Sequence, residues 1–234
     1  MRFIETFKEG DWKTKILLLS VPVIILVYIY HGMDEAFARY FSHLSNLYYL
    51  DIYRYVYQFL ATLILFFLFP LAIIKLVFKE KLKDYGLSLG DKRYGLRFII
   101  ITIPLIVTPI MILGAYMPQV RAEYPLSKLV QDKASVFLLY EFSYVLLYYV
   151  GWEFFFRGYM LFGLRERFGD IYAILLQVIP SSLLHFNKPQ PEFLGSIILG
   201  LVLGYLALRT RSILYPLIIH SYIGVSTDLL VTIL

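Results

Sequence analysis

Long apolar segments limit what this chain can fold into more than any other feature of its sequence. A helix needs roughly 20 consecutive, mostly apolar residues to cross the hydrocarbon core of a membrane. The apolar segments are Ile16–Tyr30, Tyr55–Phe78, Phe98–Met117, Ser135–Arg167, Ile171–Phe186, Phe193–Leu208 and Ile213–Leu234. Hydrophobic residues make up 59% of the chain and charged residues 17%, against roughly 25% charged in soluble domains. The sequence therefore predicts an all-α polytopic membrane helical bundle of about seven transmembrane helices, forming one integral membrane domain over residues 1–234.

Lysine and arginine are distributed unevenly between the two sides that these segments define. Most of the 22 Lys and Arg residues fall on the side of the N-terminus. Because basic loops stay on the cytoplasmic side, we expect the N-terminus in the cytoplasm and the C-terminus outside, in the plasma membrane of a bacterium or archaeon. The first apolar segment has no signal-peptide cleavage site and is expected to remain as an anchor. The same bias accounts for the net charge of +5, so we expect the lipid bilayer, and no nucleic acid, as a partner.

Ionisable side chains inside the apolar segments mark functional sites by default. Glu153 and Arg157 are four residues apart, so a helix places them on one face as a pair. His185 and His220 lie in two later segments. Glu141 also lies in the fourth segment, nearer the outer face, where we expect it to be interfacial or to pair helices.

The depth of these residues can be estimated from a predicted turn. Gly169 and Asp170 suit a helix end followed by a new N-cap, which predicts a tight hairpin between the fourth and fifth segments. At about 1.5 Å per residue, Glu153 lies ~24 Å and His185 ~22 Å above this turn, and His220 lies ~14 Å above Arg211. We therefore expect Glu153, His185 and His220 to meet in one intramembrane pocket. A small-residue stripe at Ser196, Gly200 and Gly204 predicts close packing of the sixth segment.

The motifs around these residues resemble those of the CAAX prenyl endopeptidase-like (CPBP) membrane protein family, which includes type II CAAX proteases and bacteriocin-immunity proteins. The family motif Glu-Glu-x-x-x-Arg-Gly reads Trp152-Glu-Phe-Phe-Phe-Arg-Gly158 in this chain, Phe-x-x-x-His reads Ser181-Ser-Leu-Leu-His185, and His-x-x-x-Asn reads His220-Ser-Tyr-Ile-Gly224. The resemblance covers residues 80–234, leaving residues 1–79 as two N-terminal transmembrane helices.

This resemblance implies an intramembrane peptidase of the glutamic type, with Glu153, His185, His220 and Arg157 as its catalytic residues. In the family, the first glutamate and the second-motif histidine activate water, and the third-motif histidine and asparagine stabilise the oxyanion. This chain has Trp152 and Gly224 at two of those positions. Glu153 would then take the role of the missing glutamate. Ser221 or Asp228 could replace the asparagine, although neither stands at the motif position.

The sequence leaves three functions open. The first is hydrolysis of a peptide bond in a membrane-associated peptide or protein substrate, lipidated or not, with water activated by Glu153 and His185 and the carbonyl polarised by His220. The second is a catalytically inactive membrane scaffold or immunity and partner-binding protein. The third is a metal-dependent membrane protease, in which Glu153, His185 and His220 hold a divalent ion such as zinc; the first two need no cofactor. The sequence does not define the oligomeric state.

Overall fold

A computed structural model describes residues 11–44 and 46–234, and every regular element in this range is helical. The first ten residues, which the charge bias predicts to be cytoplasmic, lie outside the described residues. The helices are α1 Trp12–Gly32, α2 Asp34–Tyr40, α3 Leu50–Phe78, α4 Lys92–Ala115, α5 Pro118–Glu123, α6 Ala134–Leu183, α7 Gln190–Thr210 and α8 Leu214–Ile233. The predicted all-α polytopic bundle is confirmed.

Six of the helices in the described range, all except α2 and α5, are long and apolar enough to cross a membrane. The longest, α6, contains 50 residues and includes both the fourth and the fifth predicted segments. It is not straight, because Gly169 has φ 76° and ψ 167°. The Trp152 and His185 rings lie 5.3 Å apart, whereas a straight helix would separate them by about 50 Å. The chain therefore reverses at Gly169, as the predicted hairpin requires.

The first half of α6 lies at the centre of the described bundle. Every residue from 151 to 164 is buried. Phe155 stacks on Phe66 of α3 with ring centroids 4.4 Å apart. Gly163 faces Leu17 of α1, and Gly151 faces the carbonyl oxygen of Thr62, which a Cβ at position 151 would meet at 2.7 Å. A glycine is thus needed at position 151 for α3 and α6 to approach, and the charged residues of α6 are kept away from lipid by the surrounding helices.

The predicted small-residue stripe of α7 packs against the second half of α6. A Cβ added at Gly200 would lie 3.0 Å from Val178, and one added at Gly204 would lie 3.1 Å from the side-chain nitrogen of Gln177. Gln177 donates a hydrogen bond of 3.0 Å to the carbonyl oxygen of Gly200. The stripe therefore holds α7 close to the half of α6 that leads to His185.

The turn between α7 and α8 is covered by residues 86–91. The backbone N–H of Asp91 donates to the carbonyl oxygen of Thr210, and that of Ile213 donates to the carbonyl oxygen of Gly86. The Ser212 hydroxyl donates to the carbonyl oxygen of Ser88. Thr210 and Ser212 are fully buried, so α8 begins inside the protein and not at its surface.

Candidate active site

Glu153 and Arg157 form the buried pair that their spacing predicts. The Nη1 atom of Arg157 lies 3.3 Å from Oε1 of Glu153, and both side chains are almost completely buried. An isolated charge would be strongly unfavourable in such a place, so each residue needs the other. The second carboxylate oxygen of Glu153 and the Nε atom of Arg157 have no hydrogen-bond partner among the described residues.

His220 of α8 contacts the same carboxylate oxygen. Its Nδ1 atom lies 2.6 Å from Oε1 of Glu153. Counted along the helices at 1.5 Å per residue, the depths leave a gap of roughly 10 Å between Glu153 and His220, which tilt or a kink at Pro216 could close. The direct contact shows that no such gap separates the two side chains. The observed position makes Glu153 and His220 a hydrogen-bonded pair, which we call the dyad.

His185 lies near the dyad without touching it. It follows α6 in a turn, where its Nδ1 atom is 2.8 Å from the carbonyl oxygen of Ser181. Since a carbonyl only accepts, Nδ1 carries the proton and donates this bond. Burial lowers the pKa of His185 to about 4, so the ring is neutral at pH 7 and its Nε2 atom carries a lone pair.

Trp152 contacts both histidines. Its ring centroid lies 5.3 Å from that of His185 and 6.4 Å from that of His220, with both contacts close to edge-on. The residue is buried. Glu153 and His220 thus meet directly as the dyad, and Trp152 is a shared neighbour of His220 and His185.

Tyr149 is the residue of this site that the sequence reading missed. Its ring contacts that of His220, with centroids 4.8 Å apart, and its hydroxyl group lies against Gly224. Glycine at the asparagine position of the motif was the available signal, because a missing side chain leaves room for a neighbouring one.

The two residues considered as substitutes for the asparagine differ in their surroundings. The Ser221 hydroxyl donates to the carbonyl oxygen of Leu217 at 2.6 Å. The carboxyl groups of Asp228 and of Glu141 are both buried, and neither has a hydrogen-bond partner among the described residues. The helix-pairing role expected for Glu141 therefore stays a prediction.

The metal-binding alternative does not fit this geometry. Within residues 11–44 and 46–234, no group of three His, Cys, Asp or Glu side chains is arranged to hold a metal ion. Zinc binds nitrogen and oxygen ligands at about 2.0–2.2 Å in a tetrahedral arrangement, which keeps two ligand atoms more than 3 Å apart. The Nδ1 and Oε1 atoms of the dyad, at 2.6 Å, are a hydrogen-bonded pair and leave no space for an ion between them.

The family comparison agrees with the motifs. Residues 134–225 match the family model described as type II CAAX prenyl endopeptidase Rce1-like. Over this range the chain is similar to CAAX-protease-like membrane proteins. The matched range contains all four predicted site residues, together with Tyr149, Trp152 and Gly224. No curated protein and no solved structure gave a significant match to this chain.

Proposed function

We propose that this CAAX-protease-like protein is an intramembrane peptidase in which the Glu153–His220 dyad activates water. The contact of 2.6 Å between Nδ1 of His220 and Oε1 of Glu153 carries the proposal. A carboxylate that accepts from Nδ1 fixes the tautomer of the imidazole and leaves the lone pair on Nε2. That atom can take a proton from water as a general base.

Arg157 supports the dyad electrostatically. Its guanidinium lies against the Glu153 carboxylate, and a nearby positive charge favours the ionised form of an acid. An ionised Glu153 in turn stabilises the imidazolium that forms when His220 takes a proton. Arg157 therefore acts through Glu153 and need not touch the substrate.

We propose a role for His185 that differs from the water activation expected from the sequence. The hydrogen bond to Glu153 is made by His220, whereas the His185 ring packs against Trp152. Its neutral ring, held by the carbonyl oxygen of Ser181, offers Nε2 as a hydrogen-bond acceptor. We assign it to positioning the water or the substrate N–H, while His220 moves the proton.

The position of the dyad indicates the class of substrate. The site is buried among membrane-spanning helices, so a scissile bond must reach it from within or beside the lipid. We propose a membrane-associated peptide or protein, anchored by a lipid or by its own apolar segment. We further propose that the protein lies in the plasma membrane with its N-terminus in the cytoplasm, which the distribution of Lys and Arg supports.

Cleavage of membrane-anchored peptides by the full chain in liposomes tests the proposal. We expect turnover by the native protein and a loss of about 10²–10⁴-fold in Glu153→Gln and His220→Ala. Glu141→Gln is the matched control for Glu153→Gln, since it makes the same change at another position of α6. His43→Ala is the matched control for His220→Ala, since it makes the same change at an exposed position. Turnover that survives both dyad variants would refute this site.

One observation favours a second function. The buried indole of Trp152, at the position of the first glutamate of the motif, contacts both histidines, and a chain with this substitution could be a catalytically inactive scaffold or partner-binding protein. Trp152→Glu restores the Glu-Glu-x-x-x-Arg-Gly motif of the family that this chain resembles, and it removes the indole ring. Cleavage by Trp152→Glu, with none by the native chain under the same conditions, would establish the inactive alternative.

A further inference from the structure

Gly224 of α8 faces the hydroxyl group of Tyr149 of α6. A Cβ built at Gly224 would lie 1.8 Å from the hydroxyl oxygen of Tyr149 and 2.7 Å from its Cζ atom. Real Cβ atoms essentially never come this close to another heavy atom. The Tyr149 hydroxyl therefore occupies the volume in which any side chain at position 224 would begin, and the two positions share one space.

This shared space lies next to the dyad. Tyr149 precedes Glu153 by about one turn of α6, and Gly224 follows His220 by about one turn of α8. The Tyr149 ring meets the His220 ring at 64° with centroids 4.8 Å apart. Because Tyr149 is only 3% exposed, its ring position is fixed by packing. The hydroxyl is thus a preorganised donor on the side of His220 that faces Gly224.

The neighbours of Tyr149 leave its proton available. The Tyr144 and Tyr149 rings pack with centroids 4.6 Å apart, and a tyrosine hydroxyl can donate one hydrogen bond while it accepts another. Two other polar side chains near the dyad are engaged elsewhere. Ser221 donates to a backbone carbonyl, and Arg157 is paired with Glu153.

We propose that Tyr149 is a catalytic residue whose hydroxyl group donates a hydrogen bond to the oxyanion formed during peptide hydrolysis. This inference rests on the proposed peptidase function. Oxyanion stabilisation requires donors that are already oriented toward the oxygen on which charge develops, in a site that excludes water. A buried phenol adjacent to the dyad meets both requirements.

The reaction step can be written in full. The water oxygen attacks the carbonyl carbon while one water proton moves to Nε2 of His220. The carbonyl π electrons move to the oxygen, which becomes the oxyanion and accepts the hydrogen bond from Tyr149 without taking its proton. The oxyanion then re-forms the carbonyl, the C–N bond breaks, and His220 returns its proton to the leaving nitrogen. The products are a carboxylic acid and an amine.

Tyr149→Phe removes the proposed donor and keeps the ring. In liposomes containing the anchored peptide, we expect kcat to fall about 10²–10³-fold, which is the range measured for loss of one oxyanion donor. We expect KM to change by less than about threefold and the pH profile of kcat to stay the same. Tyr140→Phe is the matched control, because it removes the same atom from another buried tyrosine of α6 whose hydroxyl has no partner in the described structure. A kcat for Tyr149→Phe equal to that of the control would overturn the inference while leaving the peptidase assignment intact.

A reciprocal exchange tests the shared space directly. Gly224→Asn alone should lower the Tm, because its Cβ meets Tyr149. Tyr149→Ala alone should fold but have a lower kcat than the native chain. The combination Tyr149→Ala with Gly224→Asn places an amide donor in the vacated volume and should recover at least tenfold in kcat over Tyr149→Ala.

The Tm values can be measured whether or not the chain cleaves the peptide. A Gly224→Asn variant as stable as the native chain would contradict the placement of Tyr149. Absence of turnover in the native chain and in every variant would reject the peptidase function, and the oxyanion role with it.

Discussion

The buried ion pair of α6 gives the sharpest prediction for stability. Replacing Arg157 by methionine keeps most of the volume and removes the charge. Glu153 would then be left in the bundle with His220 alone as its partner, since its second oxygen has no hydrogen bond. Removing the cation from a buried ion pair strongly destabilises the folded protein, because the remaining carboxylate is buried without a compensating charge.

The size of the effect follows from the geometry. At a separation of 3.3 Å and an effective dielectric constant of about 20, two unit charges attract by about 5 kcal/mol. Part of this attraction is offset in the native protein by the desolvation of the guanidinium, which the substitution relieves. We therefore expect Arg157→Met to lower the free energy of unfolding by about 3–5 kcal/mol.

The double variant Arg157→Met with Glu153→Gln should recover most of that loss. No charge is then buried, and the amide oxygen of glutamine can still accept from Nδ1 of His220. Replacing both partners of a buried pair by uncharged residues is often close to neutral, so we expect the double variant within about 2 kcal/mol of the native protein. The variants would be compared by denaturant titration in detergent micelles, followed by the fluorescence of the 2 tryptophans, of which Trp152 lies beside the pair.

An exposed ion pair of the same helix supplies the control. Arg165 and Asp170 lie 3.0 Å apart with side chains 33% and 55% exposed, and exposed pairs contribute about 0–1 kcal/mol. Arg165→Met should therefore change stability by less than about 1 kcal/mol. If Arg157→Met is no more destabilising than Arg165→Met, or if the double variant shows the plain sum of the two single losses, the electrostatic account of the pair is refuted.

Three further predictions concern the hairpin, the turn after α6 and the buried carboxyl group of Glu141. Gly169→Ala should lower the free energy of unfolding by about 1–3 kcal/mol, because φ 76° with ψ 167° is accessible almost only to glycine. Gly195→Ala, with equally open space around an added Cβ, should not lower it, and thermal unfolding of the two variants decides. Stability should fall as the pH drops from about 6.5 to about 4 and then level off with respect to His185, because the unfolded chain binds a proton before the folded one does. A pH series in which His185→Gln leaves the slope unchanged would contradict this. Glu141→Leu should not destabilise the protein, because it removes a buried carboxyl group that has no hydrogen-bond partner among the described residues; a loss of more than about 1 kcal/mol in denaturant titration would show that this carboxyl group has a stabilising partner.

The features of the fold that follow from one-dimensional patterns could be predicted from the sequence. The apolar segments gave the membrane-spanning helices, and the turn at Gly169 gave the hairpin. The helices continue through Pro22 and Pro180, as expected where neighbouring helices satisfy the freed carbonyl groups.

Distances counted along single helices could predict which residues come near one another, but not which atoms meet. Counting from the hairpin at Gly169 gave similar depths for Glu153 and His185, and the ring of the neighbouring residue Trp152 contacts His185. Counting from Arg211 left a gap to His220 that only tertiary packing could close, and residues 86–91 pack over the α7–α8 turn through hydrogen bonds between segments far apart in sequence. Such tertiary contacts carry no local periodicity, so the contact between His220 and Glu153 could be proposed from sequence but not located.

The two departures from the family motifs could be seen in the sequence, but their structural meaning could not. Read alone, Trp152 and Gly224 are a lost acid and a lost amide. In the folded chain, the Trp152 ring contacts two histidines, and the space beside Gly224 is filled by the hydroxyl group of Tyr149. At both positions an aromatic side chain thus occupies the region where the motif has a polar one. Under the proposed function, Tyr149→Phe removes a hydrogen-bond donor and Trp152→Glu restores the carboxyl group of the motif, so the two substitutions should change activity in opposite directions.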